Sequence, residues 1–199
     1  MLSEHIARAD LGYAGLLMGA EEFYAIGETA ERYELINGVV VMSPSPTPRH
    51  WRFVREILRQ LDAYCGPEGS DPYADIDLYV EAMTVFRPDL CVFLRSPAGA
   101  VPSRLSEPPD LVVEISSPGN KSYDLKTKRD AYEKFGVKEY WSIDPYDPNE
   151  PPPPGMRVRA WWLDRGRLVD LPVNPDSLAS RAVAGFSLDL RPLGKLAGK

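Results

Sequence analysis

Residues 111–143 constrain this chain most. Leu111–Ser116 is a short, nearly all-apolar run of the kind found in strands buried on both faces. Gly119–Ser122 turns the chain, and Tyr123–Phe135 carries a helical pattern closed by Gly136. Lys138–Ile143 is a second strand pattern, ending at Asp144-Pro145. Strand, helix and strand in so few residues form a crossover unit, which predicts parallel pairing of 111–116 with 138–143. The fold class is therefore α/β.

The remaining segments hang on that unit. A short helix is expected around Glu21–Ile26. Tyr33–Ile36 and Val39–Met42 flank Asn37-Gly38, the strongest short signal for a two-residue hairpin. Ser43–Pro48 alternates proline with small polar residues and is a loop. From Arg49 to about Tyr64, Val54, Ile57, Leu58, Leu61 and Cys65 fall on one helical arc, with Arg52, Arg55 and Arg59 opposite. Gly66–Pro72 breaks that helix. Ile76–Val80 and Leu90–Leu94 read as strands joined by Glu81–Pro88. Pro151–Pro154 is stiff and cannot join a sheet. Met156–Leu163 and Arg167–Leu171 read as a hairpin about Asp164–Gly166, with a terminal strand near Phe186–Leu190. There is no internal repeat. Residues 1–199 make one domain, with a core at about 20–148, an N-terminal hairpin and a C-terminal β extension at about 155–190.

Composition narrows the function classes. Hydrophobic content of 44% and charged content of 26% are those of a globular protein with a sizeable core. The formal net charge of -6 argues against non-specific binding of nucleic acid, which depends on basic surface, but does not exclude a local patch. Cys65 and Cys91 lie in a helix and a strand pattern and read as buried thiols in a reducing cytoplasm. No stretch approaches the ~20 apolar residues of a membrane span, and the N-terminus has no secretory pattern.

Chemistry concentrates in three segments: Arg87-Pro88-Asp89-Leu90, Pro109–Ser116 and Asp124–Lys128. Asp89 starts one strand and Glu114 sits within the next. If those strands are neighbours, both carboxylates reach one cation. Oxygen-only ligands suit Mg²⁺ or Mn²⁺, with water and substrate phosphate completing the shell. A nearby lysine would stabilise the charge that develops on phosphorus oxygens. Taken alone, Asp89 and Glu114 read equally well as solvated acids at strand ends.

The wider pattern is more specific. Glu114-Ile115-Ser116 stands where a Glu-Xaa-Lys pair occurs in the PD-(D/E)XK nuclease superfamily, and Ser116 fills the lysine position. The following helix carries Asp124, Lys128 and Tyr132 at i, i+4 and i+8, roughly one face. The string Glu114-Ile115-Ser116-Ser117-Pro118 … Asp124 … Lys128 … Tyr132 … Gly136-Val137 … Glu139-Tyr140-Trp141 … Asp144-Pro145 is very similar to the Uma-type family of restriction endonucleases, long catalogued as a domain of unknown function. Tyr33–Gly38 and His50 also resemble it, so the likeness covers roughly residues 20–148. Asn37, where the family usually has aspartate, departs from it as turn chemistry.

The resemblance implies a restriction-endonuclease-like core, a central mixed sheet flanked by helices. It implies that Asp89, Glu114 and the Ile115 carbonyl bind Mg²⁺ or Mn²⁺, that Lys128 replaces the lysine missing at Ser116, and that Glu34 adds a third carboxylate. Bland rivals stand beside these roles. Lys128 is one of several lysines on its helix, although Lys126 points about 160° away. Asp124 reads as an acid favoured by the helix dipole, and Tyr132 as a packing residue. His50 either contacts substrate or caps and packs near the loop. Arg52, with Arg55 and Arg59, forms either a phosphate-facing stripe or a solvated face. Trp141, Trp161 and Trp162 read as core and hairpin residues. The leading expectation is a metal-dependent endonuclease cleaving DNA. The alternative is a catalytically silent nuclease fold used for binding or assembly. A homodimer is expected from the two cuts a duplex needs, with the 156–171 hairpin as the contact.

Overall fold

Asn37 and Gly38 both take positive φ, 51° and 81°, as a two-residue turn matched to strand twist requires. In the computed structural model, which describes residues 12–43, 45–65, 71–94, 105–116, 121–147 and 155–197, they join β1 (Arg32–Ile36) to β2 (Val39–Ser43). The register is unbroken from Arg32↔Ser43 to Ile36↔Val39. Before the hairpin comes the short α1 (Ala20–Ala25), and after it α2 (Pro48–Cys65). Most of the expected α2 arc is buried, with Phe53 added to it, while Leu58 is half-buried at its margin.

Two sheets follow. β4 (Leu78–Glu81) and β5 (Thr84–Phe86) join the hairpin in a four-stranded sheet of order β2-β1-β5-β4. The larger sheet is six-stranded. It contains β3 (Asp71–Ala74), β6 (Leu90–Phe93), β7 (Leu111–Ile115), β8 (Glu139–Asp147), β9 (Gly155–Asp164) and β10 (Arg167–Leu171), in the order β10-β9-β8-β7-β6-β3. β7 and β8 run parallel, joined through α3 (Lys121–Phe135). All other neighbours are antiparallel, so the sheet is mixed.

Alternation along the buried strands divides the core. Leu111, Val113 and Ile115 face α2, together with Leu90, Val92, Trp141 and Ile143. Val112, Cys91 and Phe93 face the other way, onto Tyr132 and Val137 at the end of α3 and onto Phe86 and Leu78 of the small sheet. Glu114 and Asp89 have the parity of this second set. They therefore point into the seam between the large sheet, α3 and β1.

The extension closes over the α2 side. β11 (Ser177–Ala179) pairs β12 (Ser187–Asp189), and α4 (Arg191–Ala197) ends the described chain. Fully buried Glu139 fastens it, accepting from Trp141 Nε1 (2.7 Å), Ser180 Oγ (2.8 Å) and the N–H groups of Arg181 (2.8 Å) and Ala182 (2.7 Å). Four donors are what a carboxylate needs to stay buried without an ion partner.

Several expectations need correction. Residues 81–88 are not simply a connection, because 84–86 form β5; 71–74 form β3 where only a break was expected; β11 and α4 were not anticipated. The strand from 138 does not stop at Pro145 but runs to Asp147. Its pairing with β7 ends at Ile143 and its register with β9 shifts between Asp144 and Asp147. A proline is tolerated there because that edge asks no ladder hydrogen bond of it. The 66–70, 119–120 and 151–154 segments and the side chain of Asp124 lie outside the described residues. Among the described residues, no helix is long and apolar enough to cross a membrane.

Candidate active site

Asp89 immediately precedes β6, and one step beyond the Leu90↔Val113 pair places it opposite Glu114. Asp89 Oδ2 accepts from the Ile115 N–H at 2.7 Å, which ties the two strand ends together. Lys128, about two helical turns into α3, reaches the same seam. Its Nζ donates to Glu114 Oε1 at 3.0 Å and to Glu34 Oε1 at 2.9 Å, and stands 5.5 Å from the Phe86 ring centroid. Asp89, Glu114, Lys128, Glu34 and His50 each keep only 9–13% of the side chain exposed. That exposure opens into one cavity of about 490 Å³ lined by all five and by Ile115.

His50, near the start of α2, has Nε2 at 3.1 Å from Asp89 Oδ1, while its Nδ1 is buried without a partner among the described residues. Glu34 on β1 also accepts from the Arg87 N–H (2.8 Å) and from Ser43 Oγ (3.4 Å). Both its oxygens are engaged, so the structure ties it to Lys128 and the β5–β6 link. Arg52 is exposed on α2 and does not line the cavity. Arg59 pairs with Glu56 on the same helix, so the arginine stripe faces solvent. Lys126 is likewise exposed.

Electrostatics at the seam follow from burial. Burial pushes the Glu114 carboxyl up to about 7, against the pull of Lys128, and the negative charges of Asp89 and Glu34 add to the push. Burial alone would depress the Lys128 ammonium, but Glu114 and Glu34 outweigh it and hold its pKa well above the ordinary lysine value. For His50, burial is likewise outweighed by the hydrogen bond and charge of Asp89, and its pKa is raised. Lys128 is therefore charged across the physiological range.

The donors present fit a hard divalent cation. Asp89 and Glu114 are hard oxygen donors on adjacent strands, and Lys128 and Tyr132 both bind Glu114 through Oε1. Among the described residues no three or more His, Cys, Asp or Glu side chains cluster at ligand spacing. Two carboxylates with a main-chain carbonyl are a sparse set of the kind Mg²⁺ accepts, because it keeps waters and substrate phosphate in its shell. The negative charge that Asp89 and Glu34 press on Glu114 is also what an added cation would relieve.

Three residues at the site had no functional role in the sequence reading. Tyr132 is fully buried, as a packing residue would be, yet its hydroxyl donates to Glu114 Oε1 at 2.7 Å. Arg32 and Arg87 line the cavity. Strand alternation carried a signal for Arg32, two residues before Glu34 on β1; Arg87 lies in the link between β5 and β6, where alternation gives none.

A solved structure from Anabaena variabilis, described as a "putative nuclease belonging to DUF820", is similar with a TM-score of 0.73 at 20% identity, over 90% of this chain and 99% of that one. At that identity the likeness establishes the restriction-endonuclease-like fold. No curated protein matches the sequence. The family described as "Uma2: Putative restriction endonuclease" matches residues 20–191, a span holding both sheets and every residue of the seam, and the chain belongs to that family.

Proposed function

We propose that the protein is a metal-dependent endonuclease that hydrolyses DNA phosphodiesters at the Asp89–Glu114–Lys128 seam. The observation that carries this reading is the convergence of two strand-end carboxylates and one buried, permanently charged ammonium on a single open cavity. Asp89, Glu114 and the Ile115 carbonyl would hold Mg²⁺ or Mn²⁺. Such a cation polarises the phosphoryl group and lowers the pKa of water. Lys128 is positioned to donate to a phosphoryl oxygen as charge builds on it, exchanging one carboxylate partner for the substrate. The low exposure of the seam strengthens that interaction by keeping bulk water away. His50, held against Asp89, helps the Ile115 N–H orient that carboxylate and lines the same cavity.

The test is plasmid nicking with Mn²⁺ for wild type, Asp89→Ala and Lys128→Ala. Wild type should nick, and each variant should lose about 10²–10³-fold in rate, the usual cost of removing one preorganised stabilising group. Equal rates in all three would remove the mechanism.

A second reading has its own observation. Lys128 already pairs with two carboxylates, so the lysine is satisfied as it stands, as in a silent nuclease fold serving as a binding module. Isothermal titration separates the two, since a silent site should not take Mn²⁺ with measurable heat.

A further inference from the structure

Arg32 and Arg87 neither hold the cation nor join their side chains to the Lys128 network. Arg32 lies two residues before Glu34 on β1, and Arg87 two residues before Asp89 in the link to β6. Alternation puts Arg32 on the face of Glu34, and Arg87, outside the strands, lines the same cavity as Asp89. Both line the catalytic cavity and also a neighbouring cavity of about 820 Å³ formed with Tyr24, Ile26 and Tyr33. They stand at the junction of the two.

Each guanidinium is anchored but not used up. Arg87 Nε donates to Asp77 Oδ1 at 2.7 Å and lies 4.0 Å from Asp75 Oδ1. This fixes one edge of the group and leaves Nη1 and Nη2 without a hydrogen-bond partner among the described residues. Arg32 Nη2 pairs with Asp75, and its Nε is buried with no partner among the described residues. A buried donor without an acceptor is costly, so the contact with Asp75 leaves Arg32 only partly satisfied. The free Nη fork of Arg87 has the planar, two-pronged shape that takes two oxygens of one phosphate. Two residues of extended chain span about 7 Å, so Arg87 is offset from Asp89 and meets a phosphate beside the one being cut.

We propose that Arg32 and Arg87 bind the phosphodiester adjacent to the scissile one and so set the register of a nucleic-acid strand across the seam. The strand's identity rests on the nuclease reading. Asp75 and Asp77 keep the four charges balanced, so the pair holds a strand by directed hydrogen bonds more than by long-range attraction. This suits a chain of net charge -6, which as a whole repels nucleic acid.

The experiment is fluorescence anisotropy with a short labelled oligonucleotide, single-stranded and duplex, in EDTA so that no cleavage occurs. Arg87→Gln and Arg32→Gln should each weaken binding about 5- to 10-fold and lower the slope of log K against log salt by about 1. Arg87→Lys should recover the salt slope but not the full affinity, because it restores charge without the fork. Asp77→Asn separates binding from scaffolding. It should leave affinity unchanged or tighter, whereas a purely structural arginine would be harmed equally from either side of its ion pair. Unchanged affinity in both arginine variants, matched losses in Asp77→Asn and Arg87→Gln, or no binding by wild type would each overturn the proposal. Arginine-dependent binding with no Mn²⁺-dependent nicking would instead overturn only the nuclease reading.

Discussion

At the residue scale the decisive object is Glu114 Oε1, which receives both the Lys128 ammonium and the Tyr132 hydroxyl. Two donors on one oxygen fix the carboxylate plane. Groups behind a metal ligand commonly set metal affinity by 10–100-fold. Tyr132→Phe keeps the ring that packs against Phe86 and Tyr140 and deletes only the hydroxyl. Its expected effect is roughly a tenfold loss of Mn²⁺ affinity by titration calorimetry, with stability lowered by only about 1 kcal/mol. Unaltered metal affinity would make Tyr132 a packing residue alone. Asp89, Glu114 and Lys128 were legible in the sequence because strand ends, a crossover helix and a family pattern each pointed at them. Tyr132 was half legible, since periodicity gives a buried position but not what a hydroxyl meets across the seam. Arg52 shows the converse. Its charge suggested a contact, and the phase of α2 sets it on the exposed face, outside the cavity.

At the element scale, turns carry more information than strands. Gly38 and Gly185 both sit at positive φ, 81° and 85°, so an alanine at either is strained by about 1–2 kcal/mol. Their surroundings differ. A Cβ on Gly38 would press on the tip of the half-exposed Met83 side chain, which can swing away. A Cβ on Gly185 would press on the Tyr64 hydroxyl, which is held by its hydrogen bond to the Ala184 carbonyl (2.5 Å) and by its ring against Phe186. Urea unfolding should therefore show Gly185→Ala as the more destabilising, by at least about 1 kcal/mol; the opposite ranking would contradict this packing argument. The same contrast explains what the sequence concealed. Asn37-Gly38 and Arg165-Gly166 announce their hairpins through turn chemistry alone. β3, β5 and β11 are three or four residues long and exist because a neighbour supplies their hydrogen bonds; periodicity over so few positions decides nothing.

At the scale of the whole molecule, one cluster of buried charge couples stability to pH. Glu114 titrates at about 7 in the folded protein, well above an unfolded glutamate at 4.5, so between those values the native state holds the extra proton. Stability therefore falls as pH rises through that window. His50, raised above 6.5, works in the same direction: its contribution is complete below its unfolded value and is lost as pH climbs through the folded one. Burial is the main cause of the Glu114 rise, with the Asp89 and Glu34 charges adding to it, and Asp89 is what raises His50. A divalent cation at Asp89 and Glu114 should therefore reverse the trend by favouring the ionised carboxylate and neutral imidazole. In EDTA the melting temperature should be higher at pH 6 than at pH 8, by roughly 5 °C given the ~2–4 °C per kcal/mol expected for a chain of this length. With excess Mn²⁺ the gain should be larger at pH 8 than at pH 6, because metal binding must displace protons at the lower pH. Asp89→Asn removes one of the crowded charges and should flatten the EDTA profile and abolish the Mn²⁺ response together. A profile in EDTA that rises from pH 6 to pH 8 would show that these carboxylates are not coupled in the way their burial implies.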